Sequence, residues 1–250
     1  QRSSWHGVDG MYNGQMDYDT FTRDYSETLR AVDDSVGRVV ATLRELGLLD
    51  DTLIVFMSDN GFLFGEHGLI DKRCMYEPSI RVPFIAHCPG LFAGGQRRKE
   101  MVLNIDIAPT FLEAAGCAVP GNMQGRSFYP LLQGRETPWR EAFLYEYYWE
   151  RSFPQTPTVQ GVRTDRYKFM RYHGIWDRYE LYDLEQDPDE MHNLLGAFMV
   201  RHEGGTLDNL IRQEAPPELK ALFNDMSRKL MSLLQETGAL PEPLWRQPAG

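Results

Sequence analysis

The sequence predicts a layered α/β domain over residues 1–135, followed by a small antiparallel sheet with a packed C-terminal helix over residues 136–250. Three observations support this fold class. Helical patterns alternate with short, continuous apolar runs in the first part. The second part changes to short aromatic-rich segments separated by Gly, Pro and Asp. An amphipathic pattern with helical spacing then lies close to the C-terminus.

The first part contains a loop, one long helical pattern and three apolar runs. Residues 1–20 are polar and aromatic with several glycines, which is typical of a loop. From about Thr22 to Leu46, apolar side chains recur every three or four residues, and Gly47 ends the pattern, which predicts a helix. The first run is continuous rather than alternating, which indicates a strand buried on both faces, as in a parallel sheet. We expect strands at the second and third runs as well, and the third run passes into a short helix. The runs are Thr52–Met57, Val82–Ala86 and Met101–Ile107.

The second part contains four aromatic-rich segments and one amphipathic helix. The segments predict strands of an antiparallel sheet with one solvent-exposed face. Residues 216–237 open with two prolines and place leucines and methionines on one side, so we expect this helix to pack on the sheet. The four segments are Phe143–Trp149, Thr158–Arg163, Tyr167–Tyr172 and Tyr179–Tyr182.

Composition excludes some classes of partner. The 26 basic and 36 acidic residues give a formal net charge of −10, which argues against a nucleic-acid partner because phosphate binding needs clustered cations. A small anionic substrate is not excluded, since a metal and a few local cations can outweigh the net charge. No apolar run approaches the roughly 20 residues that a membrane span needs. The three cysteines have no zinc-site spacing, so we predict ordinary thiols.

The most informative polar residues follow the first apolar run, at the end of a strand where open parallel sheets bind ligands. Asp59 and Asn60 offer two adjacent hard oxygens, which suit Ca²⁺ or Mg²⁺. Lys72, twelve residues after Asn60, supplies a positive charge that could contact an anionic ester. On spacing alone, Asp-Asn-Gly after a strand is most often a simple turn, and Glu66 and His67 are typical solvated loop residues.

A series of ordered motifs runs from about residue 20 to residue 195. They are Ala31-Val32-Asp33-Asp34-Ser35-Val36-Gly37-Arg38, Ser58-Asp59-Asn60-Gly61, Gly65-Glu66-His67-Gly68, Asp71-Lys72-Arg73, Tyr76-Glu77 with Arg81-Val82-Pro83, Asn104 to Thr110, Gly125-Arg126-Ser127 and Glu180 to Glu190. In this order and spacing they resemble the second half of the sulfatase family, within the alkaline-phosphatase-like superfamily. The resemblance implies a partial sulfatase-like α/β sheet followed by the family's small C-terminal subdomain.

The resemblance also implies a metal and a substrate class. Asp59 and Asn60 would be two of the family's Ca²⁺ ligands, with Mg²⁺ as the alternative metal. Lys72 would match the lysine that contacts the sulfate, and His67 would be a substrate-pocket residue or, less simply, a general acid. The Asp-Lys-Arg-x-x-Tyr-Glu form resembles the branch that acts on sulfated amino sugars such as glucosamine 6-sulfate. The implied partner is a small sulfate ester, such as a sulfated sugar.

The sequence departs from the family in its nucleophile. Sulfatases carry Cys-x-Pro-x-Arg or Ser-x-Pro-x-Arg, whose Cys or Ser becomes formylglycine. Cys74, Cys88 and Cys117 do not fit this motif, and Asp33-Asp34 lies in the helical pattern rather than in the family's N-terminal metal motif. We therefore expect the formylglycine in a missing N-terminal half on which this chain depends, and we expect the chain alone to be inactive. A periplasmic or extracellular location would fit the family, while the sequence itself leaves the compartment undecided.

Two alternatives stay open beside a sulfuric ester hydrolase. A phosphodiesterase or phosphonate hydrolase of the same superfamily would share both metal and fold. A catalytically inactive fragment, or a module that only binds a sulfated sugar, would share the fold without the chemistry. The nucleophile motif would distinguish the enzymes, and this sequence does not contain it.

Overall fold

The computed structural model describes residues 17–153, 156–173, 178–198 and 214–239, and these form two compact units. The first unit contains residues 17–72 and 81–139, and the second contains residues 73–80 and those from 140 onward. The sequence-based boundary at residue 135 assigns residues 73–80 to the first part, whereas the structure places them in the second unit. That two-part division stays a prediction, and most of the loop predicted at residues 1–20 lies outside the described residues.

The first unit begins with helix α1, Tyr18–Glu45. The helix starts where the Asp17 side chain accepts a hydrogen bond from Thr20 N at 2.9 Å, and it ends before Gly47, which has a left-handed φ of 69°. The predicted helix is therefore confirmed, with an earlier start because of this cap. The other elements of the unit are β1 Ile54–Met57, β2 Leu63–Phe64, β3 Ile70–Asp71, β4 Phe84–His87, α3 Ile107–Ala114 and α4 Tyr129–Leu132.

The prediction of a parallel, doubly buried strand at the first apolar run is wrong for the part of the chain that the structure describes. Strand β1 pairs antiparallel with β4, with Ile54 opposite His87 and Met57 opposite Phe84. Phe56 on β1 is 38% exposed and Ile85 on β4 is 62% exposed. An apolar run indicates a strand whose side chains favour burial, but it does not identify the neighbouring strand or the direction of pairing.

The strand predicted at the third run, Met101–Ile107, is also wrong. The chain instead forms a 3-10 turn at Asn104–Asp106 that leads into α3. The fully buried Asp106 explains the turn, because one carboxylate oxygen accepts a hydrogen bond from Leu103 N and the other accepts one from Arg126 N, both at 2.7 Å. The first of these bonds satisfies a backbone donor, Leu103 N, that a strand would otherwise have paired with a neighbour.

Gly125 packs directly against this turn, and it gives a stability prediction. A Cβ atom at position 125 would overlap the Ile105 carbonyl group, whereas a Cβ at Gly121 would have no heavy atom within 4 Å. We expect Gly125→Ala to lower the free energy of unfolding of the complete protein by roughly 1–3 kcal/mol, because the backbone around Ile105 must shift. Urea denaturation of Gly125→Ala beside the matched control Gly121→Ala measures this. Equal unfolding midpoints would contradict the packing at Gly125.

The second unit is a four-stranded antiparallel sheet with a helix on one face. The strands are β5 Ala142–Tyr147, β6 Thr158–Thr164, β7 Tyr167–His173 and β8 Arg178–Asp183, paired in that order, and the helix is α5, Pro217–Glu236. Side chains alternate between the two faces of a strand. On one face Val162, Phe169 and Leu181 pack against α5, where the rings of Phe169 and Phe223 meet edge to face at 5.5 Å. The four strands and the packed helix are therefore confirmed.

The other face of this sheet corrects the prediction of a solvent-exposed side. Val159, Met170 and Tyr182 on that face are buried against Met75, which comes from the segment 73–80 and has no exposed surface. This segment contains the one-turn helix α2, Glu77–Ile80. The sheet is thus covered on both faces, by α5 and by a segment that lies about seventy residues before the first strand in sequence. Among the described residues, no helix has the length and apolar character needed to cross a membrane.

Candidate functional site

Strand β1 delivers the predicted metal-binding pair at its C-terminal end. The strand ends at Met57, and the chain turns at once because Ser58 Oγ donates a hydrogen bond to Asn60 O at 2.8 Å. Asn60 N donates to Asp59 Oδ1 at 2.9 Å, and the Asn104 side-chain amide donates to Asp59 O. The Asp59 backbone is therefore held by its own turn and by the 3-10 turn of the same unit.

The donor set of this turn fits a hard cation. Asp59 is exposed, and only its Oδ1 accepts hydrogen bonds from the residues that the structure describes. Asn60 Nδ2 donates to Gly61 O at 2.8 Å, which fixes the amide and leaves Asn60 Oδ1 as its remaining ligand atom. Carboxylate and amide oxygens are the ligands that Ca²⁺ and Mg²⁺ prefer. The described residues contain no group of three or more His, Cys, Asp or Glu placed around a common metal position.

Lys72 and His67 lie on a short hairpin that follows this turn. Strands β2 and β3 pair antiparallel, with Leu63 opposite Asp71 and Phe64 opposite Ile70. His67 lies in the connecting loop, and the half-buried Lys72 comes directly after the second strand. The structure therefore places both residues on one hairpin and the pair Asp59 and Asn60 at the preceding strand end.

An aromatic cluster holds the hairpin against α1. Phe21 of the helix stacks on Phe62 at 5.9 Å, and Tyr25 meets Phe64 edge to face at 4.7 Å between ring centroids. Ile70 of the second hairpin strand is buried in the same cluster. Aromatic contacts of this kind stabilise beyond the area they bury. The helical periodicity that predicts α1 therefore also supplies the support for the candidate site.

The hairpin contains two non-glycine residues in the left-handed region, one in its loop and one at the end of β3. His67 has a φ of 56° and Asp71 a φ of 95°, beside Gly65 at 118°. Such a conformation costs a non-glycine residue roughly 1–3 kcal/mol and persists where surrounding contacts impose it, often at functional sites. The Glu66 carboxylate accepts a hydrogen bond from Phe64 N, so this side chain closes the loop.

One residue of the site was not identified from the sequence. Asn104 holds the Asp59 carbonyl from the 3-10 turn, whereas the apolar run around it predicted a strand. The signal was present in the Asn104-to-Thr110 motif, but a motif position alone does not reveal a hydrogen bond to a residue 45 positions away. Asn104 therefore belongs with Asp59 and Asn60 as a residue that fixes the turn.

Two protein-family models match the chain. The one described as N-sulphoglucosamine sulphohydrolase, C-terminal, matches residues 65–215, and the one described as Sulfatase matches residues 8–117. Together they cover residues 8–215, which include parts of both units. The match at residues 65–215 covers more than half of the 250 residues.

Similar proteins cover most of this chain but extend well beyond it. An N-acetylglucosamine-6-O-sulfatase of Bacteroides thetaiotaomicron is 37% identical over 226 residues, which are 88% of this chain and 36% of that protein. A solved structure in complex with its substrate, D-glucosamine-2-N,6-O-disulfate, is 36% identical with a TM-score of 0.72, covering 88% of this chain and 40% of the other. A phosphonate monoester hydrolase of Agrobacterium radiobacter, 24% identical with a TM-score of 0.72 over 88% of this chain and 42% of the other, has the same fold. The chain thus spans well under half the length of these relatives.

Proposed function

The chain belongs to the sulfatase family, and we propose that it forms the C-terminal part of a sulfuric ester hydrolase that removes sulfate from a sugar. The observation that carries the proposal is the turn after β1, where Asp59 and Asn60 present adjacent oxygens on a backbone fixed by Asn104. The similar N-acetylglucosamine-6-O-sulfatase and the complex with a glucosamine disulfate support an amino-sugar sulfate as the substrate class.

Each candidate residue has a role in this proposal. Asp59 and Asn60 would hold Ca²⁺, or Mg²⁺ as the alternative, and the bound metal would offset negative charge on the sulfate oxygens. Lys72 would place its ammonium group against a sulfate oxygen and stabilise charge on the departing ester. His67, in the hairpin loop, would line the substrate pocket. The nucleophile would be a formylglycine contributed by a part of the protein that precedes this chain.

Exposed apolar surface supports the dependence on such a preceding part. On α1 the side chains of Leu29 and Val39 are 48% and 56% exposed, and Ile85 on β4 is 62% exposed. Large apolar side chains this exposed on a helix and a strand of one unit fit a surface that another element covers. We propose that the remaining part of the protein covers α1 and the β1–β4 pair.

The isolated 250 residues provide a direct prediction. We expect no sulfate release from an aryl sulfate by this polypeptide with saturating Ca²⁺, because no residue in it can become formylglycine. We also expect it to self-associate through the exposed apolar surfaces, which size-exclusion chromatography measures. Metal-dependent turnover by the isolated chain would refute the assignment of the nucleophile to another part of the protein.

A parallel assay on the complete protein tests the reaction type. An aryl sulfate and an aryl phosphodiester with the same leaving group are compared by kcat/KM under identical conditions. The proposal predicts faster hydrolysis of the sulfate. The fold shared with a phosphonate monoester hydrolase makes the second activity the specific alternative, so faster hydrolysis of the phosphodiester would replace the sulfatase assignment. Tight binding of a sulfated sugar without turnover of either ester would instead favour a binding module.

A further inference from the structure

The segment 73–80 starts directly after Lys72 and, among the described residues 17–139, is the one stretch that belongs to the second unit. Consecutive Cα atoms are held about 3.8 Å apart by the peptide bond. The position of Arg73 therefore restrains the backbone of Lys72. Whatever fixes this segment on the sheet also limits where the Lys72 ammonium group can lie.

The first contact that holds the segment 73–80 on the sheet is the burial of the Met75 side chain. This side chain is fully buried among Val159, Met170 and Tyr182. It lies directly over Gly161 in the middle of β6, where a Cβ atom would overlap Met75 Sδ and lie 2.8 Å from Phe169 O. Only glycine leaves this space without displacing a neighbour. The sheet thus carries a depression that matches one side chain of the segment.

The second contact that holds the segment is a buried ionic cluster, which consists of Lys168, Glu77, Glu190 and Arg163. Lys168 has no exposed surface, and its Nζ lies 2.8 Å from Glu77 Oε1 and 2.7 Å from Glu190 Oε1. Arg163 contacts both oxygens of Glu77, at 3.2 and 3.3 Å. Burial acts to raise the pKa of Glu77, but Lys168 and Arg163 outweigh it, so this pKa lies below its usual value. Glu77 is therefore charged at neutral pH.

The cluster also holds backbone atoms of the segment. Lys168 Nζ donates a hydrogen bond to Met75 O at 2.8 Å, and Glu77 N donates one to Glu190 Oε2 at 2.6 Å. Between these residues, the Tyr76 hydroxyl donates to Glu180 Oε2 at 2.9 Å. Three consecutive residues are thus attached to the sheet, each through a different contact.

A purely stabilising role does not account well for this arrangement. Buried ion pairs lose hydration on folding, and apolar residues of similar volume often replace them without loss of stability. Apolar residues fill volume, but they cannot fix a carbonyl and an amide of the main chain in one position. The contacts of Lys168 and Glu190 with Met75 O and Glu77 N do fix them.

We propose that Lys168 is a positioning residue for Lys72. From within the sheet it fixes the segment 73–80, and through the Lys72–Arg73 peptide bond this sets the place of the sulfate-contacting ammonium group. The inference rests on the proposed function in one respect, the assignment of Lys72 to the sulfate. It gives the C-terminal sheet an indirect part in sulfate binding.

Inorganic sulfate binding to the complete protein tests this proposal without requiring turnover. Isothermal titration compares wild type, Lys168→Met, Lys72→Ala and the double variant. We expect Lys168→Met to weaken sulfate binding by about tenfold or more, and to cause little further loss when Lys72 is already alanine, since coupled residues are non-additive. Lys168→Arg, which keeps the charge, should recover part of the affinity. The matched control is Lys229→Met on α5, a lysine with an exposed ion pair to Asp225, which should bind sulfate as wild type does.

Several outcomes would overturn the proposal. These are wild-type sulfate affinity in Lys168→Met, fully additive losses in the double variant, or unchanged affinity in Lys72→Ala. If Lys168→Met does not fold, Tyr76→Phe replaces it, because it removes only the hydroxyl that donates to Glu180, and the same non-additive weakening is expected. Non-additive losses of sulfate affinity in a protein that hydrolyses no sulfate ester would support the positioning role while rejecting the proposed function.

Discussion

Lys72→Ala in the complete enzyme is expected to lower kcat/KM for a sulfate ester by about 10²–10³-fold. The expected size is that of removing one preorganised group that faces a developing negative charge. Lys72 is half-buried at the end of the β2–β3 hairpin, next to Asp71 in a left-handed conformation, so its backbone is held by surrounding contacts. Steady-state kinetics with an aryl sulfate measure the loss.

The control for this variant is Lys99→Ala. Lys99 is an exposed lysine of the same unit, so its removal changes the net charge equally without touching the hairpin. We expect kcat/KM of Lys99→Ala to stay close to that of wild type. Similar losses in both variants would show that only the general electrostatic field matters, and the assignment of Lys72 to the sulfate would be wrong.

Asp59→Ala is expected to weaken Ca²⁺ binding by the complete enzyme by more than about a hundredfold. Residues that only orient a metal ligand are already worth about 10–100-fold in affinity, and Asp59 would contribute a charged oxygen directly. The variant removes this carboxylate while Asn104 can still bind the unchanged backbone carbonyl at position 59. Calcium titration of the metal-free enzyme, followed by calorimetry, gives the affinity.

Glu66→Ala is the matched control for the metal prediction. It removes a carboxylate that lies seven residues further along the chain and accepts a hydrogen bond from Phe64 N. We expect Ca²⁺ affinity to change far less in this variant than in Asp59→Ala. Equal affinities of the two variants would refute the assignment of Asp59 as a ligand.

Local signals in the sequence predicted much of the fold. Helices α1 and α5 follow from apolar spacings of three to four residues, and the strands β5–β8 follow from aromatic-rich segments separated by Gly, Pro and Asp. The sequence did not predict which strand pairs with β1, since an apolar run does not identify its neighbour. It also did not predict that the segment 73–80 packs on the C-terminal sheet. Its burial depends on Gly161 and Lys168, which lie 86 and 93 residues after Met75.

The place of the candidate site residues in the fold was predictable to a similar degree, while their roles stay a prediction. Asp59, Asn60 and Lys72 came from motif order, and the structure places them at a strand end and on the hairpin that follows. The left-handed backbone at His67 and Asp71 was not visible in the sequence, because the conformation of a non-glycine residue there depends on tertiary contacts. The link from Asn104 to Asp59 joins distant positions, so no local pattern contains it.

Release of inorganic sulfate from glucosamine 6-sulfate by the complete protein tests the central claim most directly. The measurement is made with Ca²⁺, after removal of the metal with a chelator, and with the Asp59→Ala variant. We predict sulfate release with Ca²⁺, its loss on chelation with recovery on re-addition, and little release by Asp59→Ala. No sulfate release by the Ca²⁺-loaded wild type, or release that neither chelation nor Asp59→Ala reduces, would contradict a metal-dependent sugar sulfatase built on this turn.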